Sequence, residues 1–291
     1  LCGTLFAQFA PPIIEAPEKW SKPEKIQAIQ DLYEYYNRYP SVSWDGKKIF
    51  YINSAIFFTE LTDSGWTLPK RLPDRVNYMN PKRKAVVSPD GKTLLIVAGS
   101  TNKIYQSKWN ETLNDWDSAK ILIGGDINTP PWANWGLSNY LNDTTLIVLR
   151  TYDGRITYFN KETQQWGQSV PFPHSSFPVR GDFGSWVSPD RKKWYGAWPT
   201  LAPTKLDSLD LYVSYYVEED NRYKFNYRLN ISRYSDSLFN AGAIYKKIES
   251  SPFLTPDGKT MYFEAKYDSG GYTIYVSRML IDENGDTVVT R

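Results

Sequence analysis

The chain has almost none of the two residues that most often bind transition metals. Its 291 residues include one cysteine, Cys2, and one histidine, His174. A single cysteine excludes a disulfide within the chain, and the two residues together are too few for a zinc site built from cysteine and histidine. His174 has no companion histidine and no serine nucleophile motif, so we interpret it as a hydrogen-bonding residue of a loop.

The chain also lacks a large net charge and long apolar runs. The 34 basic and 32 acidic residues nearly cancel and leave a formal net charge of +2. Nucleic acids and acidic membranes are bound by strongly basic faces, so neither partner is expected. No apolar run reaches the ~18 residues of a membrane-spanning helix, so no integral membrane segment is expected.

No cofactor and no metal site is predicted. The segment Asp282-Glu283-Asn284-Gly285-Asp286 has oxygen ligands at alternate positions, as calcium loops do. It lacks the further ligands of an EF-hand loop. A hairpin turn accounts for the same residues more simply.

The chain does contain a short motif that occurs five times, in which an aspartate-led turn precedes an apolar and aromatic strand. The five copies are Ser43–Lys47, Ser88–Lys92, Leu141–Thr144, Ser188–Lys192 and Thr255–Lys259. A unit that recurs every few tens of residues is typical of solenoids and propellers. Asp-Gly between two strands favours a hairpin, because glycine adopts a positive φ without steric cost.

Each unit shows four short segments with strand character, and the high aromatic content suits strands. The first strands of the units are expected at Pro40–Trp44, Ala85–Ser88, Trp135–Ser138, Gly184–Val187 and Pro252–Thr255. The sequence therefore predicts an all-β chain folded as a five-bladed β-propeller of four-stranded antiparallel blades. The propeller is expected to cover residues 40–291, with blades beginning near Pro40, Ala85, Trp135, Gly184 and Ser251.

Residues 9–39 are expected to form a short N-terminal extension, partly extended and partly helical. Apolar residues recur at helical spacing within Ile26–Tyr39. Two segments are candidates for closing the ring by completing the fifth blade. They are Thr287–Thr290 and a strand near Tyr33–Tyr39, and the sequence does not choose between them.

The motif Ser88-Pro89-Asp90-Gly91-Lys92 and its copies resemble the WD40-like PD40 repeat of TolB-type propellers in exported bacterial proteins. The resemblance spans Pro40 to Arg278, although the third unit lacks the glycine and lysine and the fourth lacks the glycine. It implies that the aspartate turns lie on the narrow face, away from the usual binding mouth. We therefore expect the turn aspartates to cap backbone N–H groups.

The first residues resemble the end of a secretory signal. Leu1–Gln8 is apolar and ends near small residues, so residues 1–8 are predicted to be a signal-peptide remnant. The protein is accordingly predicted to be secreted, on the cell surface or periplasmic. Lipid modification of Cys2 is the alternative interpretation of this segment.

A binding mouth is expected where the linkers between blades meet. Its predicted ligand-binding residues are Tyr78, Trp132, Trp135, Arg180, Asp182 and Glu249, among other polar linker residues such as Asn77 and Asn128. Aromatic faces stack on flat groups and charged side chains orient hydrogen bonds, so a protein or a glycan is the expected partner. The alternative is that these residues only pack the linkers. The long insertion of unit four, Thr200–Ser208 and Tyr234–Tyr245, is a second candidate partner surface.

The predicted function is a non-enzymatic binding or scaffolding module. The rival is a glycoside hydrolase that uses Asp182 and Glu249 as an acid/base pair. Such pairs lie ~6.5–9.5 Å apart for inversion and ~5–5.5 Å apart for retention. The predicted inner strands contain no aspartate or glutamate, and only these two carboxylates sit just ahead of one, so no catalytic residue is assigned.

Overall fold

Five blades of antiparallel strands follow one another along the chain, and the computed structural model packs them side by side around a central channel. Blades 4 and 5 are joined into one nine-stranded sheet by the parallel pairing of Leu209 with Ile248. The structure describes residues 14–30, 36–129, 135–150, 153–173, 184–199, 209–232, 248–267 and 271–289. The innermost strands contact one another in chain order, and that of blade 5 contacts that of blade 1. The predicted all-β, five-bladed propeller is confirmed.

Blades 1 to 3 each have four antiparallel strands and a short outer hairpin strand. Blade 1 consists of Arg38–Val42, Lys48–Asn53, Ala55–Thr62 and Lys70–Arg71, with Gly65–Trp66. Blade 2 consists of Lys82–Val87, Thr93–Ala98, Lys103–Asn110 and Lys120–Ile121, with Asp115–Trp116. Blade 3 consists of Trp135–Asn142, Thr145–Arg150, Asp153–Asn160 and Val170–Pro171, with Gln165–Trp166.

Blades 4 and 5 incorporate the N-terminal extension. Blade 4 consists of Ser185–Val187, Lys193–Pro199, Leu209–Val217 and Arg222–Arg228, and Ile14–Glu15 pairs in parallel with its last strand. Blade 5 consists of Ile248–Leu254, Thr260–Lys266, Thr273–Arg278 and Glu24–Lys25. Short helical turns lie at Gln27–Gln30, Asp74–Asn77 and Glu218–Asp220.

Ring closure differs from both candidates that the sequence offered. The outermost strand of blade 5 is Glu24–Lys25, which pairs antiparallel with Thr273–Arg278. Val289 forms only an isolated bridge to Glu18. The predicted helix within Ile26–Tyr39 is described only at Gln27–Gln30, and its expected end lies in the first strand, because Arg38–Val42 pairs with Lys48–Asn53.

Four of the five turns share one hydrogen-bonded arrangement. In blade 1 the Asp45 carboxylate accepts the Lys47 N–H at 3.0 Å, and the Ser43 hydroxyl donates to the same carboxylate. Asp90, Asp190 and Asp257 accept the same backbone bond at 3.0 Å. Blade 3 uses Asn142 instead, whose side-chain oxygen accepts the Thr144 N–H at 2.9 Å. The capping residue of that unit is therefore Asn142 rather than the expected Asp143.

Edge-to-face aromatic pairs pack between neighbouring blades, and the tryptophan of each pair is here called the wedge. Trp66 of blade 1 meets Tyr262 of blade 5 with ring centroids 6.1 Å apart, and Trp116 of blade 2 meets Phe50 of blade 1 at 6.4 Å. Between blades 4 and 5 the tryptophan comes from the extension, where Trp20 meets Tyr195 at 6.2 Å. The extension thus supplies blade 5 with both its outermost strand and its wedge.

Candidate functional site

The central channel is apolar at the end where the aspartate turns lie, here called the turn face. Every blade contributes a side chain to a small cavity of about 20 Å³, including Val42, Val86, Tyr140, Trp186 and Phe253. These side chains fill the space between the inner strands and close the channel at this end. A ligand of the channel would therefore enter from the opposite end, the linker face, where the chain passes between blades.

The inner strands are irregular in the half nearer the linker face. β-Bulges interrupt the strand pairing between Arg38 and Ser41, between Lys82 and Lys84 and between Ser250 and Phe253. Tyr39 and Ser251 both have a φ of 55°. Bulges re-aim side chains and are frequent beside binding sites. Here they coincide with a change from apolar to polar channel residues.

Close packing of two inner strands also requires a glycine at this level. Gly184 precedes the inner strand of blade 4 and has a φ of 62°. A Cβ atom at Gly184 would lie 2.9 Å from the Cα of Ser251 in blade 5. A side chain at this position would push blades 4 and 5 apart.

Glu264 organises the polar half of the channel from a fully buried position in blade 5. Its carboxylate accepts hydrogen bonds from the Arg38 guanidinium at 2.9 Å, the Tyr39 N–H at 2.7 Å and the Ser250 hydroxyl at 2.6 Å. The Arg38 guanidinium also lies over the ring of Tyr272, 4.3 Å from its centroid. These contacts join blade 5 to blade 1 and satisfy a charge that would be costly if unpaired.

Lys84 is another buried charge of the channel, but unlike the Glu264 carboxylate its ammonium is not hydrogen-bonded to the described residues. Its side chain is 4% exposed, and its ammonium has no hydrogen-bond partner among the described residues. The ammonium lies over the ring of Phe253, 5.2 Å from the centroid. Burial lowers the pKa of Lys84 to about 7, and the Glu264 carboxylate opposes only part of that shift.

Of the two carboxylates among the predicted site residues, Glu249 lies in the described part of the chain and Asp182 does not. Glu249 lies within the inner strand Ile248–Leu254, so the expectation that no inner strand contains a carboxylate is wrong. It is fully buried, and it accepts hydrogen bonds from the Ser232 hydroxyl and from the Tyr267 hydroxyl, the latter at 2.7 Å. Burial and the Glu249 carboxylate raise the pKa of Tyr267, which keeps that donor protonated.

Of the other predicted site residues, Tyr78 is the one whose side chain the structure describes, and it lies away from the channel. Tyr78 is 59% exposed, and its hydroxyl donates to the Ala119 carbonyl at 2.9 Å, near the outer strand of blade 2. Trp135 begins the inner strand of blade 3, where the backbone is described. Trp132, Arg180 and Asp182 lie outside the described residues, as do His174 and the unit-four insertion.

Two linker asparagines that the sequence placed in the mouth instead tie each linker to its own blade. Asn77 accepts the Ile56 N–H at 2.7 Å and donates to the Leu72 carbonyl at 2.8 Å. Asn128 repeats both bonds in blade 2, with Ile104 at 2.8 Å and Leu122 at 2.9 Å. For these residues the packing alternative is the correct one.

Sequence reasoning missed Lys84 and Glu264. The run Lys82-Arg83-Lys84 directly before Ala85-Val86-Val87 was an available signal, because lysine and arginine next to a buried strand are almost never fully buried unless they are paired. The predicted strand started at Ala85, a few residues after its observed start. Glu264 carries no such signal, since it stands as a single acid at the end of an aromatic strand.

The described residues hold no group of three or more histidine, cysteine, aspartate or glutamate side chains that would suit a metal ion. In the same part of the chain, no helix has the length and apolar character needed to cross a membrane.

Comparison with known proteins supports the architecture. No protein-family model matches the sequence, and no curated protein matches it. Among solved structures, a member of the GH130 family of mannoside phosphorylases, which contains glycoside hydrolases for β-1,2-mannosidic linkages, matches with a TM-score of 0.51. It is 8% identical, over 97% of this chain and 98% of the other. At this identity the likeness shows the fold alone.

Two TolB structures also match. A putative TolB from Agrobacterium tumefaciens has a TM-score of 0.44 and 14% identity, over 88% of this chain and 80% of the other. TolB from Acinetobacter baumannii has a TM-score of 0.44 and 13% identity, over 87% and 56%. TolB is therefore among the structural neighbours of this chain, and the PD40 repeat stays a prediction.

Proposed function

We propose that this protein is an exported, non-enzymatic β-propeller that binds a protein or glycan partner, and that the partner presents an anionic group to the channel from the linker face. The observation that supports the proposal is the Lys84 ammonium, buried in the channel without a hydrogen-bond partner among the described residues. A buried polar group without a partner is costly. An anion from a ligand would pair with it and offset that cost.

Support for binding rather than hydrolysis comes from Glu249. An acid/base carboxyl needs at least one oxygen directed at the substrate. Both oxygens of Glu249 already accept hydrogen bonds from Ser232 and Tyr267 in a fully buried position. The glycoside hydrolase with Asp182 and Glu249 is therefore the weaker candidate.

A glycan array with neutral, carboxylated and sulfated glycans tests the proposal, using the wild type, Lys84→Met and Lys47→Met. Lys47 is an exposed lysine of a turn on the opposite face and serves as the matched control. We expect carboxylated or sulfated glycans to bind, and Lys84→Met to weaken that binding at least tenfold, which is about 1.4 kcal/mol. Lys47→Met should bind as the wild type does.

Binding that is confined to neutral glycans, or acidic-glycan binding that Lys84→Met leaves intact, contradicts the proposal. A protein partner is tested with the same variants by affinity capture from native cell extract. We expect Lys47→Met to capture the same protein as the wild type, and Lys84→Met to lose it.

The export part of the proposal rests on the signal-like Leu1–Gln8. We expect N-terminal sequencing of protein recovered from native cells to start after these residues. Cell fractionation should find the protein outside the cytoplasm. Protein that retains Leu1–Gln8 and is confined to the cytosol contradicts export.

A further inference from the structure

Blades 1 and 2 diverge at the turn face and leave an open cleft, of about 740 Å³, between them. Its apolar lining includes Trp44, Phe58 and Trp109, and its two walls carry the turn aspartates Asp45 and Asp90. The cleft lies at the opposite end of the molecule from the polar half of the channel, so it is independent of the proposed function.

The equivalent cleft between blades 4 and 5 shows what such a space holds. Blade 4 has Lys193, Tyr195 and Tyr215 at the positions that Lys48, Phe50 and Glu60 have in blade 1. The two lysines follow their turns by the same number of residues. In the neighbouring strand Lys48 pairs with Glu60, and Lys193 pairs with Tyr215. In blades 4 and 5 a segment of the chain itself, the N-terminal strap Ile14–Lys25, borders the space. Its Trp20 and Glu24–Lys25 take the places of Trp116 and Lys120–Ile121 in blade 2, and its Glu18 enters the space beside Lys193.

The strap binds there through charge complementarity. Its Glu18 carboxylate is 2.5 Å from the Lys193 ammonium and accepts hydrogen bonds from the hydroxyls of Tyr195 at 2.7 Å and Tyr215 at 3.2 Å. The strap backbone is held in place as well, since the Trp20 N–H donates to the Asn230 side chain at 2.8 Å. An extended peptide therefore fits between two blades when its side chains match the charges of the walls.

The walls of the open cleft have the opposite charge preference. Its lining has five carboxylates against three lysines. Lys48 and Lys70 share the Glu60 carboxylate at 3.0 and 3.7 Å, and Lys92 pairs with Glu111 at 2.9 Å. Asp45 and Asp90 have no ion-pair partner within the described chain, and each uses its Oδ1 atom to cap its turn.

Asp45 is ionised at neutral pH. Burial acts to raise the pKa of Asp45, but hydrogen bonds from Ser43 and Lys47 and the nearby charges of Lys47 and Lys48 together outweigh it and hold the pKa below its usual range. The cleft therefore offers carboxylate groups on both walls beside aromatic faces. Arginine and lysine side chains bind such surroundings through ion pairs and cation–π contacts.

We propose that the cleft between blades 1 and 2 binds an extended segment of a partner protein that carries arginine or lysine at alternate positions. Alternate side chains of an extended peptide point to one side, so successive cations of such a segment enter the same cleft. The neighbouring cleft between blades 2 and 3 is smaller, at about 490 Å³, and its lining has the two carboxylates Asp90 and Asp143 against the three lysines Lys92, Lys108 and Lys161. It offers a cationic segment a less favourable surface.

The probe is a fluorescein-labelled peptide Gly-Arg-Ser-Arg-Ser-Arg-Gly, compared with the same peptide in which glutamate replaces arginine. Fluorescence anisotropy at low ionic strength measures binding to the wild type and to two double variants. The cleft variant is Asp45→Asn with Asp90→Asn, and the matched control is Asp190→Asn with Asp257→Asn. Both lose two charges from the same kind of turn, and Asn142 shows that asparagine caps this turn.

We expect the arginine peptide to bind the wild type and the control alike, and to bind the cleft variant at least tenfold more weakly. The glutamate peptide should not bind, and Lys84→Met should leave arginine-peptide binding unchanged. Equal losses in both double variants, no loss in the cleft variant, or no arginine-peptide binding at millimolar concentration would overturn the proposal. A dimer of the protein that dissociates only in the cleft variant would also overturn it, because the occupant would then be a second copy of this chain.

Discussion

At the scale of single residues, Lys84 and Glu264 show how the same channel treats two buried charges differently. Glu264 receives three hydrogen bonds from two blades. The Lys84 ammonium donates none to the described residues and lies over an aromatic ring instead. The Glu264 carboxylate and the Phe253 ring offset the cost of burying this charge only in part. A buried charge without a hydrogen bond lowers stability, so we interpret Lys84 as a binding residue.

Lys84→Met should therefore stabilise the protein at neutral pH, by about 1–3 kcal/mol. Because its pKa is lowered from 10.5 to about 7, the unfolded chain binds more protons than the folded chain between those pH values. The stability of the wild type should consequently rise with pH across that window, and Lys84→Met should flatten the rise.

Urea unfolding of the wild type, Lys84→Met and Lys47→Met at pH 7 and pH 10 measures this effect. The gain from Lys84→Met should shrink toward pH 10, where the wild-type lysine is largely neutral in the folded protein and increasingly so in the unfolded chain. A variant that is less stable than the wild type at pH 7 would show that Lys84 contributes to folding.

At the scale of elements, the N-terminal strap acts as part of two blades. Its first residues pair with the last strand of blade 4, and Glu24–Lys25 is the outermost strand of blade 5. Glu18 and Trp20 lie between these pairings and are almost fully buried. The strap therefore holds blades 4 and 5 together through side chains as well as through strand pairing.

Glu18→Gln should cost about 2–4 kcal/mol of stability, because it leaves the Lys193 ammonium and two tyrosine hydroxyls around a neutral group. Glu24→Gln is the matched control on the same strap. Its ion pair with Arg278 spans 3.5 Å and both side chains are more than half exposed, so we expect a loss below about 0.5 kcal/mol. Denaturant unfolding followed by tryptophan fluorescence gives both values, and similar losses in the two variants would refute the role assigned to Glu18.

At the scale of the whole molecule, the ring is closed by contacts between residues far apart in the sequence. Trp20 is hydrogen-bonded to Asn230 and Arg38 to Glu264. Neighbouring inner strands elsewhere are joined by shorter-range bonds, such as that from the Ser138 hydroxyl to the Ser185 carbonyl at 2.9 Å. The fifth blade is therefore complete only when both ends of the chain have met.

A chain that begins at Ile26 should lose the outermost strand of blade 5 and the Trp20 wedge, and should unfold with a melting temperature at least ~10 °C lower, since a lost large core side chain alone costs about 3–5 kcal/mol. A synthetic peptide of residues 14–25 added in excess should restore part of the loss by mass action. Thermal unfolding by circular dichroism measures both effects. An unchanged melting temperature would mean that the strap is not needed for closure.

The sequence alone determined the architecture, because each blade is built from local hairpins. Asp-Gly turns, alternating apolar residues and short strands are properties of neighbouring residues. The second strands Lys48–Asn53, Thr93–Ala98 and Thr145–Arg150 accordingly follow directly after the turns that the sequence marks. The turn aspartates were also predictable, since capping involves residues two positions apart.

Only the tertiary structure decided how the ring closes and which charges meet in it. The bonds of Glu264 to Arg38 and of Glu18 to Lys193 join residues more than 170 positions apart, and no local pattern marks such pairs. The isolation of Lys84 is likewise a property of its surroundings, because one cation in a basic run looks like its neighbours until the fold buries it. Local hydrogen bonding and periodicity thus determined the blades, whereas the packing of blades around the channel determined the site.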